Sequence, residues 1–148
     1  VGNTSEIKRV VLDTNVCLDL FVFKDPRWQG IYDAMLAKQI DTITREDCRT
    51  EWLRVLDYPH LPVNADNKDA IIAEFDRLIR CLPIETVNTY GLPICTDRDD
   101  QKFLELSLQA NASYLITKDK ALLKCAKKTA KQGMFTILAP QAWKPQFI

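Results

Sequence analysis

Short apolar runs alternate along this chain with stretches whose apolar residues recur every three or four positions. Val10-Val11-Leu12 is a continuous run closed by Asp13, as expected of a central parallel strand covered by helices on both faces. Tyr114-Leu115-Ile116 repeats the pattern and is followed by Thr117-Lys118-Asp119. Between these two runs the pattern predicts a helix starting within 16–23, then a second helix opened by Pro26 with Trp28, Ile31, Tyr32, Met35 and Leu36 at helical spacing. A short strand over 40–43 comes next. Thr44 with Asp47 reads as an N-cap pair for a helix reaching about Asp57 and stopping before Pro59, with Cys48, Trp52, Val55 and Leu56 as its apolar arc. Residues 58–65 read as a loop. Asp66 with Asp69 then caps an amphipathic helix carrying Ile71, Ile72, Phe75, Leu78 and Ile79, and 84–87 reads as a strand. Gly91 and Pro93 mark a loop into Asp97-Arg98-Asp99-Asp100, ahead of a helix with Phe103, Leu104, Leu106 and Leu108. A lysine-rich helix over about 120–131, a strand over 134–138 and a tail from Pro140 complete the chain. Alternating strands and helices predict a doubly wound α/β domain with a parallel sheet. One domain is expected over 1–148, its core spanning about 8–139 and its C-terminal tail 140–148.

Composition narrows the chemistry more than the fold. Twenty Lys and Arg balance twenty Asp and Glu, so net charge is silent about partners. No run approaches the roughly 18 apolar residues of a membrane helix, and 1–7 lacks the apolar centre of a signal peptide. The five cysteines are odd in number and widely spread, which fits a reduced, cytoplasmic setting. Cys48, Cys81 and Cys125 fall within helical patterns as small apolar fillers. The single histidine, His60, sits in a Pro-His-Leu-Pro loop and reads as an ordinary surface residue. One histidine removes most zinc chemistry and the Ser-His-Asp hydrolases.

The acids are the candidate chemistry. In open α/β sheets ligands bind beyond the carboxyl ends of the strands, where Asp13 and Asp119 both fall. Glu51 lies about 40° around its helix from Val55, at the border of the buried arc. Each acid has an ordinary alternative: a solvated turn for Asp13, a helix cap for Asp119, an exposed ion pair for Glu51, and capping for one of Asp97, Asp99 and Asp100. Three acids within four residues exceed what capping needs. Two carboxylates about 4 Å apart repel by roughly 4 kcal/mol at an effective dielectric of 20, so a gathered set takes up protons or binds cations. All-oxygen ligands select Mg²⁺ or Mn²⁺, one or two ions, which can activate water against a phosphodiester. Lys118, Lys120, Lys124, Lys127, Lys128 and Lys131 form a basic run, and Arg98 and Lys102 flank the acidic cluster. Such lysines are either a solvated helix face or a means of neutralising approaching phosphates.

Taken in order, Val10-Val11-Leu12-Asp13-Thr14-Asn15, Glu51-Trp52-Leu53-Arg54-Val55-Leu56, Asp97 to Asp100 before Phe103-Leu104-Glu105-Leu106-Ser107, and Leu115-Ile116-Thr117-Lys118-Asp119 resemble the PIN-domain nuclease family. The closest likeness is to the bacterial branch described as toxin components of toxin–antitoxin systems, which often end in a proline-led tail like Ala139-Pro140-Gln141. The resemblance implies a parallel sheet of order 3-2-1-4-5 with helices on both faces. It also implies metal-dependent endonuclease activity on RNA, frequent homodimers and a small antitoxin partner. Single-stranded RNA is expected because a metal-bound water needs room behind the phosphate, which a stacked duplex restricts. Carried over by residue, the resemblance makes Asp13, Glu51, Asp100 and Asp119 the catalytic metal-binding acids, with Asp97 an additional ligand. Asp100 is preferred to Asp99 because it stands seven residues before Ser107. Thr14, Asn15, Asp99 and Thr117 would orient those carboxylates by hydrogen bonds, and Arg98, Lys102, Lys118, Lys120 and Lys124 would meet nucleic acid. Ser107-Leu108-Gln109-Ala110-Asn111-Ala112 departs from the family's usual alanine and glycine, which concerns helix packing alone.

Two other classes compete with an endoribonuclease. A phosphoaspartate phosphatase also places Asp after its first strand, but wants a second Asp where this chain has Asn15. A catalytically silent nucleic-acid-binding module has no physical reason to retain mutually repelling acids at every station.

Overall fold

The computed structural model describes residues 7–148; the segment 1–6, and with it the expectation that no signal peptide opens the chain, lies outside the described residues. Five strands form one parallel sheet in the order β3-β2-β1-β4-β5. They are β1 (Lys8–Leu12), β2 (Ile40–Arg45), β3 (Arg80–Leu82), β4 (Tyr114–Ile116) and β5 (Thr136–Leu138). Alternation along the strands explains the continuous apolar runs. Val10 and Leu12 join one buried cluster and Val11 the other, and Ile116 and Leu115 divide in the same way. Helices therefore cover both faces, as a parallel sheet requires.

On the first face pack α1 (Thr14–Phe21), α2 (Gln29–Leu36), α3 (Glu46–Val55) and α4 (Lys68–Leu78). Trp52 stacks on Phe75 at 4.8 Å, and Phe21 meets both edge-on at 6.1 and 5.7 Å. That aromatic knot fixes the rotation of α3, and so the direction of its neighbour Glu51. On the second face Phe103, Leu104 and Leu106 of α5 (Gln101–Gln109) pack with Leu122 of α6 (Lys120–Leu123).

Several predicted local features differ. The strand expected over 84–87 is absent, and Arg80–Leu82 pairs with β2 instead. Pro83 cannot donate to a ladder, so the strand stops there and Ile84 is left 57% exposed. Cys81 lies on this edge strand and is exposed, not packed in a helix. Thr44 is the penultimate residue of β2 and caps nothing. Asp47 binds Arg45, whose buried guanidinium also reaches Glu105 at 3.3 Å and Gln109 at 3.1 Å, tying α3 to α5. At α4 it is Asn64, not Asp66 or Asp69, whose side chain accepts from the backbone N–H groups of Asp66 and Asn67. The lysine-rich helix is broken into α6 and α7 (Ala126–Lys131), with Cys125 N–H turning back to the Leu122 carbonyl. The segment 140–148 is packed down: Trp143 is buried, and Phe147 stacks on Tyr114 at 5.4 Å. Among the described residues no helix is long and apolar enough to cross a membrane.

Candidate metal centre

The site begins where β1 ends. Asp13 caps α1, its Oδ1 accepting from the Val16 N–H at 3.0 Å. Its Oδ2 accepts from the Thr117 hydroxyl, and that oxygen in turn accepts the Asp119 N–H at 2.9 Å. Thr117 is fully buried and follows β4 directly, its own N–H bound to Leu138 of β5 at 2.9 Å. One hydroxyl therefore ties together the acids beyond the two central strands. Asp119 caps α6 through Oδ1, 2.7 Å from the Ala121 nitrogen, and one of its oxygens lies within 4.8 Å of oxygens of Asp97 and Asp100. Two residues that also serve as helix caps can thus be site acids, because a carboxylate has two oxygens to share.

The other acids arrive by longer routes. Residues 83–97 form a loop clamped to α5 by two glutamines. Gln109 donates to Pro83 at 2.8 Å; Gln101 accepts from the Cys95 N–H at 2.7 Å and donates to Pro93 at 3.1 Å. The loop ends in a single 3-10 turn, Arg98–Asp100, capped by Asp97. Neither clamp has a sequence signal beyond a glutamine at each end of a helix. Glu51 presents one oxygen to the Thr14 hydroxyl and the other to Lys102, 2.8 Å away.

Asp97, Asp100 and Asp119 each offer an oxygen, and these oxygens all lie within 4.8 Å of one another. Asp13, Glu51, Asp100 and Asp119 all line one cleft of about 290 Å³. Burial, then hydrogen bonding to Asp119, then the charges of Asp119, Asp97 and Asp13 push the Asp100 carboxyl up to about 7. Burial raises Asp13 to about 6, against the lowering effect of its bonds to Thr117 and Val16. Asp100 Oδ2 is buried and has no hydrogen-bond donor. An unpartnered buried carboxylate oxygen among other acids is a costly arrangement that a cation relieves. The donors are all hard oxygens, as Mg²⁺ or Mn²⁺ takes. The residues fit such an ion.

The residues expected to support the acids divide. Thr14 and Thr117 do hold carboxylates. Asn15 lines the cleft with an exposed side chain, and only its backbone N–H reaches Asp13. Asp99 points outward, and its carbonyl receives Lys102. The basic residues do not line the cleft. Lys102 is engaged with Glu51, Lys118 pairs with Asp19 at 2.7 Å, and Arg98, Lys120 and Lys124 are exposed. His60, expected as an ordinary surface residue, and Tyr58, expected only as part of a loop, both line the cleft. Nothing in a Pro-His-Leu-Pro loop signals this, because the loop's fold against α3 decides it.

An acidic cleft beyond the carboxyl ends of a doubly wound parallel sheet defines a class, the α/β domains built around divalent metal. The sequence profile of the PIN domain matches residues 9–121, and the chain belongs to that family. PIN domains are generally metal-dependent nucleases, and the 3-2-1-4-5 sheet described above is the order expected of one. No curated protein and no solved structure matches the chain.

Proposed function

We propose that this protein is a Mg²⁺- or Mn²⁺-dependent endoribonuclease that cuts single-stranded RNA, and the toxin of a toxin–antitoxin pair. The observation that carries the catalytic reading is the convergence of Asp97, Asp100 and Asp119, with the Asp100 Oδ2 buried and without a donor, and with Asp100 and Asp119 lining the same cleft as Asp13 and Glu51. Asp100, Asp119 and Asp97 would hold the ion directly, with Asp13 and Glu51 completing the acidic shell. A bound divalent ion supplies charge stabilisation at the phosphate and an acidified water for attack. Thr117 fixes the spacing of Asp13 and Asp119, and Thr14 fixes Glu51, so the carboxylates need not reorganise as charge develops.

Incubation of the purified protein with unpaired RNA, duplex RNA and single-stranded DNA tests the activity. Cleavage of unpaired RNA in Mg²⁺ or Mn²⁺, stopped by excess chelator and lost in Asp13→Asn, is the expected result. Cleavage indifferent to chelator overturns the mechanism. The toxin role draws on the resemblance to the bacterial toxin branch. A small antitoxin would present Arg or Lys to the carboxylates, satisfying them as a cation does and closing the cleft to phosphate. Co-purification from the native host should recover a small protein that suppresses cleavage. Harmless overexpression without such a partner defeats the toxin role and leaves the nuclease role standing. We further propose a cytoplasmic homodimer, which sedimentation of the purified protein would test.

A further inference from the structure

The cleft that holds the carboxylates is also lined by aromatic and apolar side chains. Tyr58 and His60 line it together with Leu18, Val55, Leu61 and Phe103. The two rings lie 6.0 Å apart and are tilted by 39°. Both residues are exposed, Tyr58 at 44%, so neither is spent on the core. They are nonetheless held. The Tyr58 N–H binds the Val55 carbonyl at 3.0 Å, continuing the end of α3. Leu61 N–H returns to the Tyr58 carbonyl at 3.2 Å, and its side chain is buried in the core. Pro59 and Pro62 bracket His60 and restrict the backbone on either side. Ordered, exposed aromatic rings presented on a fixed loop cost little entropy when a flat ligand lands on them.

A second observation says what that ligand is. Neither lysine nor arginine lines the cleft, and four of the lining residues are acids. The lining side chains therefore give a base, as distinct from its phosphate, no cationic anchor. Base stacking does not need charge and tolerates any sequence, because every base has a π-face. We infer that Tyr58 and His60 form a stacking subsite for one unpaired nucleobase, next to the phosphate that the carboxylate side receives. The inference rests on the nuclease reading above and deepens it. A base in a duplex is already stacked and paired, so this subsite selects single strands.

The test uses the full chain carrying Asp13→Asn, in Mg²⁺, with labelled single-stranded RNA measured by fluorescence anisotropy. Oligonucleotides with one abasic residue at each position in turn probe the base contact. One position should weaken binding roughly tenfold, the scale of a lost base–aromatic stack. Adding Tyr58→Ala should weaken the intact oligonucleotide by a similar factor and erase the abasic penalty. Tyr58→Phe and His60→Phe keep the flat ring and should bind within about twofold of the parent, which separates stacking from misfolding and from proton transfer by the imidazole. An abasic penalty of the same size in Tyr58→Ala overturns the subsite. So does a loss in His60→Phe equal to that in His60→Ala. Unmutated protein that cuts no RNA, while base-dependent binding persists, defeats the nuclease reading alone. Cleavage accompanied by binding indifferent to both rings defeats this inference alone.

Discussion

Asp13 and Asp119 stand directly beyond the central strands β1 and β4 and are joined through one buried hydroxyl, that of Thr117. Asp97, Asp100 and Glu51 instead come from a loop and two helices, and side chains hold them in register: Gln101, Gln109, Lys102 and the buried Arg45. The strand-borne half is built by the sheet itself, and its acids are bonded to backbone N–H groups. The loop-borne half carries the orphaned oxygen of Asp100. Rigid elements thus supply the frame, and the unpaired oxygen of the gathered acids falls at Asp100, at the end of the 3-10 turn that closes the loop. A divalent ion would be held by Asp119 of the first half and by Asp97 and Asp100 of the second.

The largest expected effect is on the rigid half. Asp13→Asn keeps the shape and the helix cap, since Asn caps as well as Asp, and should reduce RNA cleavage to background. Thr117→Val comes next. It removes the hydroxyl between Asp13 and Asp119 without changing side-chain volume much. Metal affinity or activity should fall by about 10–100-fold, the usual cost of losing a group that orients a ligand. Calorimetric Mn²⁺ titration measures it, and an unchanged affinity would mean the two strand-borne acids need no link.

Stability against pH probes both halves, through Asp13 in the first and Asp100 in the second. Below the ordinary aspartate value of 3.8 the folded and unfolded chains both hold these protons. From there up to about 6 for Asp13 and about 7 for Asp100, the folded chain holds more of them, so stability falls as pH rises through that window. In chelator the protein should melt at a higher temperature at pH 5 than at pH 8. For the buried Asp13 the whole window is worth at most about 3 kcal/mol, about half of it between pH 5 and pH 8. Asp25, Asp47 and Glu74, whose carboxyls are lowered by their partners, act in the opposite sense only at more acidic pH. Asp100→Asn should raise the melting temperature in chelator at pH 8 and shrink the pH dependence. Mg²⁺ should then stabilise the parent more than the variant, because only a bound ion shifts folding by mass action. Equal shifts in both would remove Asp100 from the ion's ligands.

The smallest effect is expected at Lys102. Lys102→Met removes the ammonium from Glu51 and keeps an apolar stem beside the Phe103 ring. One fewer positive charge next to the acids should tighten Mn²⁺ by a few-fold, on the order of 1 kcal/mol at a partly exposed site. No change would mean that Glu51 lies outside the field of the cluster.

Some of this was legible in the chain alone, and physical reasons divide what was from what was not. Periodicity along the backbone is local, so the continuous run Val10-Val11-Leu12, the helical spacing of Phe103, Leu104 and Leu106, and the alternation of strands with helices could be read directly. The strand order came from the family likeness of the four acidic stations, and the sheet agrees with it. Where the edge strand stops was misread, because Ile84 to Val87 is apolar enough for a strand, yet only 80–82 finds the register beside β2. Helix caps were misplaced for a similar reason: Thr44 is drawn into β2 by pairing, and Asn64 reaches the start of α4 only through the loop's own turn. That the Asp100 Oδ2 is left without a donor, which lysine answers Glu51, and which rings line the cleft with the carboxylates are decided by packing between distant segments. A sequence names the groups that can do chemistry; the tertiary fold decides which are left unsatisfied and turned toward one another, because hydrogen bonding and burial are settled only when the segments meet.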